Sequence, residues 1–136
     1  MISRLSHMTI YVLDQDKAVD VYTNKLGFEV RNDMKMDGGF RWVTVGPRGQ
    51  PDLELVLYAV APGGALDEAA AAHVRALLEQ DKMGAGVWAT DDCRASYEQM
   101  SAQGIEFLSP PQEQFYGVEA TFKDGCGNWF SLTQRA

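Results

Sequence analysis

The sequence predicts an α+β fold made of two βαβββ modules in tandem, and three observations point to it. A displacement of 77 positions carries Leu13-Asp14 onto Thr90-Asp91 and Gly27 onto Gly104. Each half opens on a short β-like run that meets an aspartate, and the amphipathic segment after it stops at a glycine. Three further strand-like runs complete each half. Internal periodicity of this kind marks a supersecondary unit used twice.

The elements follow in chain order. His7 to Leu13 reads as a strand, and Asp14 can start a helix because its carboxylate accepts a free N–H of the first turn. Ala18, Val21, Tyr22 and Leu26 recur at steps of three and four, an apolar helical stripe. Gly27 ends it, since glycine tolerates the left-handed conformation at helix ends. Strands are expected at Phe28–Met36, Phe40–Val45 and Leu53–Tyr58, separated by Asp37-Gly38-Gly39 and Gly46-Pro47-Arg48-Gly49. After Pro62-Gly63-Gly64, the Ala-, Leu- and Glu-rich segment from Asp67 to Gln80 is a connecting helix by propensity.

The second half repeats the order. Gly84 to Thr90 is a strand, Asp91 its helix-starting aspartate, and Ala95, Tyr97, Met100 and Ala102 a weaker stripe ending at Gly104. Ile105–Leu108, Val118–Lys123 and Trp129–Thr133 are the remaining strands, with turns at Pro110-Pro111 and Asp124 to Asn128. The expected organisation is one domain over residues 1–136, with modules at 5–60 and 84–134 and the connecting helix at 65–82. A half of about 55 residues is marginal for a core of its own, so the two should fold together.

Composition narrows the function. Twelve basic against nineteen acidic residues give a net charge of −7 without any basic run. Nucleic acid, which needs clustered Lys and Arg, is therefore not an expected partner. No stretch has the roughly 18 apolar residues of a membrane span, and Met1 to Thr9 lacks the apolar core of a signal peptide. With two cysteines, Cys93 and Cys126, the reading is reduced thiols in a cytoplasmic protein.

The segments Leu5-Ser6-His7-Met8-Thr9-Ile10-Tyr11-Val12, Val21-Tyr22 through Leu26-Gly27-Phe28, Leu53-Glu54-Leu55, and Asp124 through Leu132 together resemble the vicinal oxygen chelate superfamily. That superfamily holds glyoxalases, extradiol dioxygenases and bleomycin-resistance proteins. The resemblance covers nearly the whole chain. It implies curved mixed sheets around a cleft, with helices outside, a small-molecule ligand inside and a homodimer.

Strand alternation then assigns faces. His7, Thr9 and Tyr11 are expected to line the cleft, with Met8, Ile10 and Val12 beneath the helices. Glu54, Val56 and Tyr58 join the cleft, as do Trp42 and Thr44. By the repeat, so do Gly84, Gly86, Trp88, Trp129, Ser131, Thr133, Glu119 and Thr121. Tyr11, Trp42, Tyr58, Trp88, Tyr116 and Ser131 are the candidate ligand-binding residues, Tyr116 from a loop at the cleft mouth.

Metal-dependent members of the superfamily take one ligand from the first and one from the fourth strand of each module. Here His7 and Glu54 stand in the first module, but the displaced slots hold Gly84 and Ser131, and sliding by one residue gives only Ala85. Half of the donor set is absent. A divalent ion (Zn, Ni, Mn or Fe) would have to recruit a substitute, and Glu119 is the candidate, making His7, Glu54 and Glu119 the metal and catalytic set. The competing account is a hydrogen-bonded His7–Glu54 pair that orients a ligand or relays a proton.

Three functions stay open at this point. The first is small-molecule binding in an aromatic-lined cleft with an incomplete or atypical metal site. The second is a metal-dependent lyase, isomerase or extradiol-type dioxygenase. The third is a dimer that sequesters a drug or metabolite without chemistry, of bleomycin-resistance type.

Overall fold

A computed structural model describes residues 1–136, apart from the side chain of Ala85. The alternative metal slot at Ala85 therefore lies outside the described residues. Eight strands form two four-stranded sheets of the same order and sense. In the first, β1 (His7–Val12) runs parallel to β4 (Glu54–Ala59). β3 (Arg41–Gly46) is antiparallel to β4, and β2 (Glu29–Lys35) is antiparallel to β3. The second sheet repeats this arrangement with β5 (Met83–Ala89), β8 (Asn128–Arg135), β7 (Gly117–Lys123) and β6 (Phe107–Gln114).

Three helices connect these strands. Asp14 caps α1 (Gln15–Asp20) by accepting from the Lys17 amide, and the helix widens into a π-helical turn over Val21–Lys25. Asp67 caps α2 (Glu68–Glu79), and Gly127 gives it room: a Cβ there would stand 2.6 Å from that of Leu78. Asp92 caps α3 (Cys93–Ala102). The capping residue is thus Asp92 and not the expected Asp91, so the displacement between the halves is not uniform along the chain.

Two further expectations change. Pro110-Pro111, read as a turn, lies inside β6. That strand is an edge, and its pairing with β7 slips between Ser109 and Gln112, where missing N–H donors interrupt no ladder bond. Met8, expected under a helix, is exposed because the first half of β1 runs outside the helical cover.

A single core joins both halves. Ile10, Val12, Val43, Val45, Leu55 and Leu57 from the first sheet meet Val118, Ala120, Phe122, Phe130 and Leu132 from the second, with Ala18, Val21 and Tyr22 of α1 and its π-turn among them. All are apolar residues at alternate strand positions, as a sheet with one packed face requires.

A buried polar cluster sits at this junction. Asp124 is almost wholly buried and accepts from the Tyr22 hydroxyl (2.7 Å), the amides of Cys126 (2.7 Å) and Asn128 (3.0 Å), and the Asn128 side chain (3.1 Å). Asn128 Nδ2 also donates to the Tyr11 carbonyl at 2.8 Å, tying β8 to β1. Burial pushes the Asp124 carboxyl above the usual carboxylate range, against the pull of those four donors.

Tyr22→Phe keeps the ring and removes one donor from a buried carboxylate. The expected cost is about 1–3 kcal/mol, read as a lower denaturant midpoint with unchanged slope. A midpoint equal to that of the wild type would show that this contact holds nothing together.

Candidate functional site

The face of the first sheet turned away from the core carries the residues the sequence singled out. Parallel pairing of β1 with β4 sets His7 beside Glu54, Thr9 beside Val56 and Tyr11 beside Tyr58. His7 Nε2 lies 3.2 Å from Glu54 Oε2, and its Nδ1 is 3.0 Å from the Ser6 hydroxyl. The imidazole is 43% exposed, so it remains open to a ligand.

Glu54 is held on its other oxygen. Oε1 accepts from Thr44 Oγ1 at 2.7 Å and from Asn32 Nδ2 at 3.0 Å. The Thr44 hydrogen bond, then that of Asn32 and the charges of His7 and Arg31, keep the Glu54 carboxyl below its ordinary range despite partial desolvation. An exposed ion pair adds only about 0–1 kcal/mol of stability, so the folded state gains little from the pair itself.

Aromatic side chains border this polar centre. The Trp42 ring lies 6.1 Å from that of His7. Tyr11 meets Tyr58 edge-on at 5.8 Å, and Phe40 approaches Tyr58 at 5.5 Å. Met34 pairs with Trp42 across β2 and β3 and is exposed. An open wall of this kind suits a small, flat, largely apolar molecule with one polar group to orient it.

Sequence reasoning assigned no role to Ser6 or Asn32. Ser6 was visible next to His7, but only the folded geometry turns its hydroxyl onto the ring. Asn32 was not readable, because a register slip between Val30 and Asn32 breaks the alternation by which faces are assigned.

The second sheet departs further from expectation. Its pairing slips between Gly84 and Gly86, so Val87 stands opposite Ser131 and Trp88 opposite Leu132. Trp88, expected in the cleft, is therefore turned to the core, where its ring meets Phe28 at 5.2 Å and Phe130 at 5.7 Å. One inserted residue flips every later side chain to the other face. The residue across from Ser131 is Val87 rather than Gly84, and it too has no donor atom.

Glu119 does face outward on β7 but is engaged locally. It accepts from the Tyr116 hydroxyl and, at 2.9 Å, from Ser131. Tyr116, Glu119 and Thr133 line an open cavity of about 630 Å³ with Val87 and Arg135. Among the described residues no group of three or more His, Cys, Asp and Glu is placed to hold a metal ion, so His7, Glu54 and Glu119 do not come together within one chain. His7 and Glu54 alone, already turned on each other, do not fit a resident divalent ion, which takes about four donors.

Comparison with known proteins shows which family this fold belongs to. The model of the Glyoxalase/Bleomycin resistance protein/Dioxygenase superfamily matches residues 4–132. An uncharacterised protein of Shewanella frigidimarina is 35% identical over 132 residues, 94% of this chain and 90% of its own. The crystal structure of UcmS2 shares 48% identity at a TM-score of 0.90, covering 98% of this chain and 99% of that one. TnmS3, described as an antibiotic binding protein from Streptomyces sp. CB03234, shares 27% identity at a TM-score of 0.77, covering 99% and 98%.

The hold on Glu54 has a pH signature. A depressed carboxyl pKa contributes stability above its unfolded value of about 4.3, lost as pH falls through the folded value. Thr44→Val removes the strongest of the lowering contacts. In a carbon-detected NMR titration the Glu54 midpoint should move up in this variant, and an unmoved midpoint would contradict the assignment.

Proposed function

The chain belongs to the Glyoxalase/Bleomycin resistance protein/Dioxygenase superfamily, and on that premise we propose that it binds a small organic molecule on the open face of its first sheet and holds it unchanged. The observation that carries this reading is the His7–Glu54 pair, exposed beside Trp42 and fixed by Thr44 and Asn32, with no matching donors on the second sheet. Ser6 and Glu54 set the orientation of the imidazole. His7 presents a polar group at the edge of an aromatic wall, with Glu54 Oε2 3.2 Å from its Nε2. A ligand carbonyl, phenol or acid would be oriented there while its flat body lies on Trp42 and Tyr58. The antibiotic-binding description of TnmS3 supports a sequestering role.

The reading includes a homodimer. The outward face of the second sheet leaves Val87 68% exposed and the turn between β6 and β7 leaves Phe115 96% exposed, and a second copy would cover such groups while completing the cleft. No helix of the described residues is long and apolar enough to cross a membrane. The free thiols of the buried Cys93 and Cys126 fit the reducing conditions of a cytoplasm.

Catalysis is the second reading, favoured by the exposed imidazole on its carboxylate. The pair has the form of a general base and its orienting partner. A metal-dependent lyase, isomerase or dioxygenase would require the missing donors from elsewhere.

Two measurements separate these readings. Titration of the untagged protein with Zn, Ni, Mn and Fe(II) should give no tight stoichiometric uptake; one ion per chain, lost in both His7→Ala and Glu54→Ala, would favour the metal enzyme instead. The dye 8-anilinonaphthalene-1-sulfonate should bind, with Trp42→Ala weakening it by roughly tenfold, about 1.4 kcal/mol. Unchanged binding in that variant would remove the aromatic wall from the site.

A further inference from the structure

The second sheet has a feature that the lost metal slots do not explain. Gly84 stands opposite Trp129 across β5 and β8, and the indole lies across it. A Cβ at Gly84 would sit 3.1 Å from each of Trp129 Cε2, Cζ2 and Nε1, tighter than side chains ordinarily pack. Gly84 needs no unusual backbone conformation, since its φ is not in the left-handed region. Glycine at this position gives the ring a seat.

Trp129 is 36% exposed, although an indole is the largest apolar group available for burial. It shares a cavity of about 520 Å³ with Leu108, Thr121, Lys123, Asp81 and Lys82. Leu108 is exposed as well. Lys123 is occupied, 3.1 Å from Glu106 and 3.3 Å from Asp81, whereas Lys82 makes no ion pair among the described residues. The cavity thus combines an aromatic floor backed by glycine, an apolar wall and one uncommitted cation at the rim. Its volume falls in the range of small-molecule sites, roughly 300–1,000 Å³.

We infer that Trp129, seated on Gly84, is a stacking platform on the second sheet for a planar aromatic ligand that carries an acidic oxygen for Lys82. Within one chain the platform stands on the second sheet and the His7–Glu54–Trp42 face on the first; Trp129 belongs to the outward face that the proposed second copy would bring into the cleft. The inference rests on the reading that these outward faces take small organic molecules, and it adds the ligand class and a second binding surface. Shape favours a flat ring over a branched aliphatic body: stacking gains most when the second ring is planar, and a seat without a Cβ lets the indole lie across the strand. The lysine distinguishes an acidic aromatic from a neutral one.

The test uses naphthalene-2-carboxylate as the planar acid and decahydronaphthalene-2-carboxylate as its saturated counterpart, titrated calorimetrically into the full-length protein. The planar acid should bind measurably tighter. Trp129→Ala should weaken it by about tenfold, about 1.4 kcal/mol, and Trp129→Phe by far less. Gly84→Ala retains the indole but tilts it, so it too should weaken the planar acid, with the fold verified by circular dichroism. Lys82→Gln should lower affinity for the acid while leaving 2-methylnaphthalene unaffected.

Wild-type affinity retained in Trp129→Ala overturns the platform, as does equal binding of the planar and saturated acids or no binding up to the solubility limit. If Trp42→Ala weakens the probe and Trp129→Ala does not, the platform fails and the first-sheet reading stands. If neither variant changes binding, both fail. A Trp129→Ala protein that turns from dimer to monomer with unaltered probe affinity assigns the indole to a copy-to-copy contact and overturns the platform as well.

Discussion

The carboxylate of Asp124 sits where the two sheets and the first helix meet, with four donors gathered on it. A buried charge without such partners would cost several kcal/mol, so the phenol of Tyr22 and the turn from Asp124 to Asn128 stabilise the fold by holding donors on it. Asn128 then fastens the start of β8 to the Tyr11 carbonyl at the end of β1. The helix-side faces of both sheets are thereby committed to one core. What remains for function is the other face of each sheet, and the residues with chemistry in them stand there.

That division explains how one scaffold carries two dissimilar surfaces. On the first sheet, regular parallel pairing of β1 and β4 sets His7 against Glu54, and two neutral donors hold the carboxylate ready. On the second, one slipped residue in β5 moves the register, so Val87 faces Ser131 and Trp88 goes to the core. The same slip leaves Gly84 opposite Trp129. Glu119, the acidic residue expected to compensate, is taken up by Tyr116 and Ser131.

Periodicity made much of the fold legible. The stripe at Ala18, Val21 and Tyr22, the capping aspartate at 14, and the alternation of Leu55 and Leu57 with Glu54 and Tyr58 were readable because each follows from local geometry. Trp88 was misplaced for a physical reason. Alternation assigns faces only while every residue pairs, and the slip between Gly84 and Gly86 carries no mark in the sequence beyond its glycines. Pro110-Pro111 misled in the same way: a proline pair forbids an inner strand but not an edge with irregular pairing.

The amino-acid order by itself determined the two-part architecture, the commitment of His7 and Glu54 to one face, and the loss of donors in the second half. These depend on side-chain type and on repeats of two and of about four residues, which the chain carries before it folds. Only the tertiary structure decided which residues meet across the sheets: Asn32 and Thr44 on Glu54, Tyr116 on Glu119, Tyr22 on Asp124, and the indole of Trp129 on Gly84. Those contacts join positions brought together by strand register and core packing, and a single inserted residue changes the register without changing the pattern that predicts the strand.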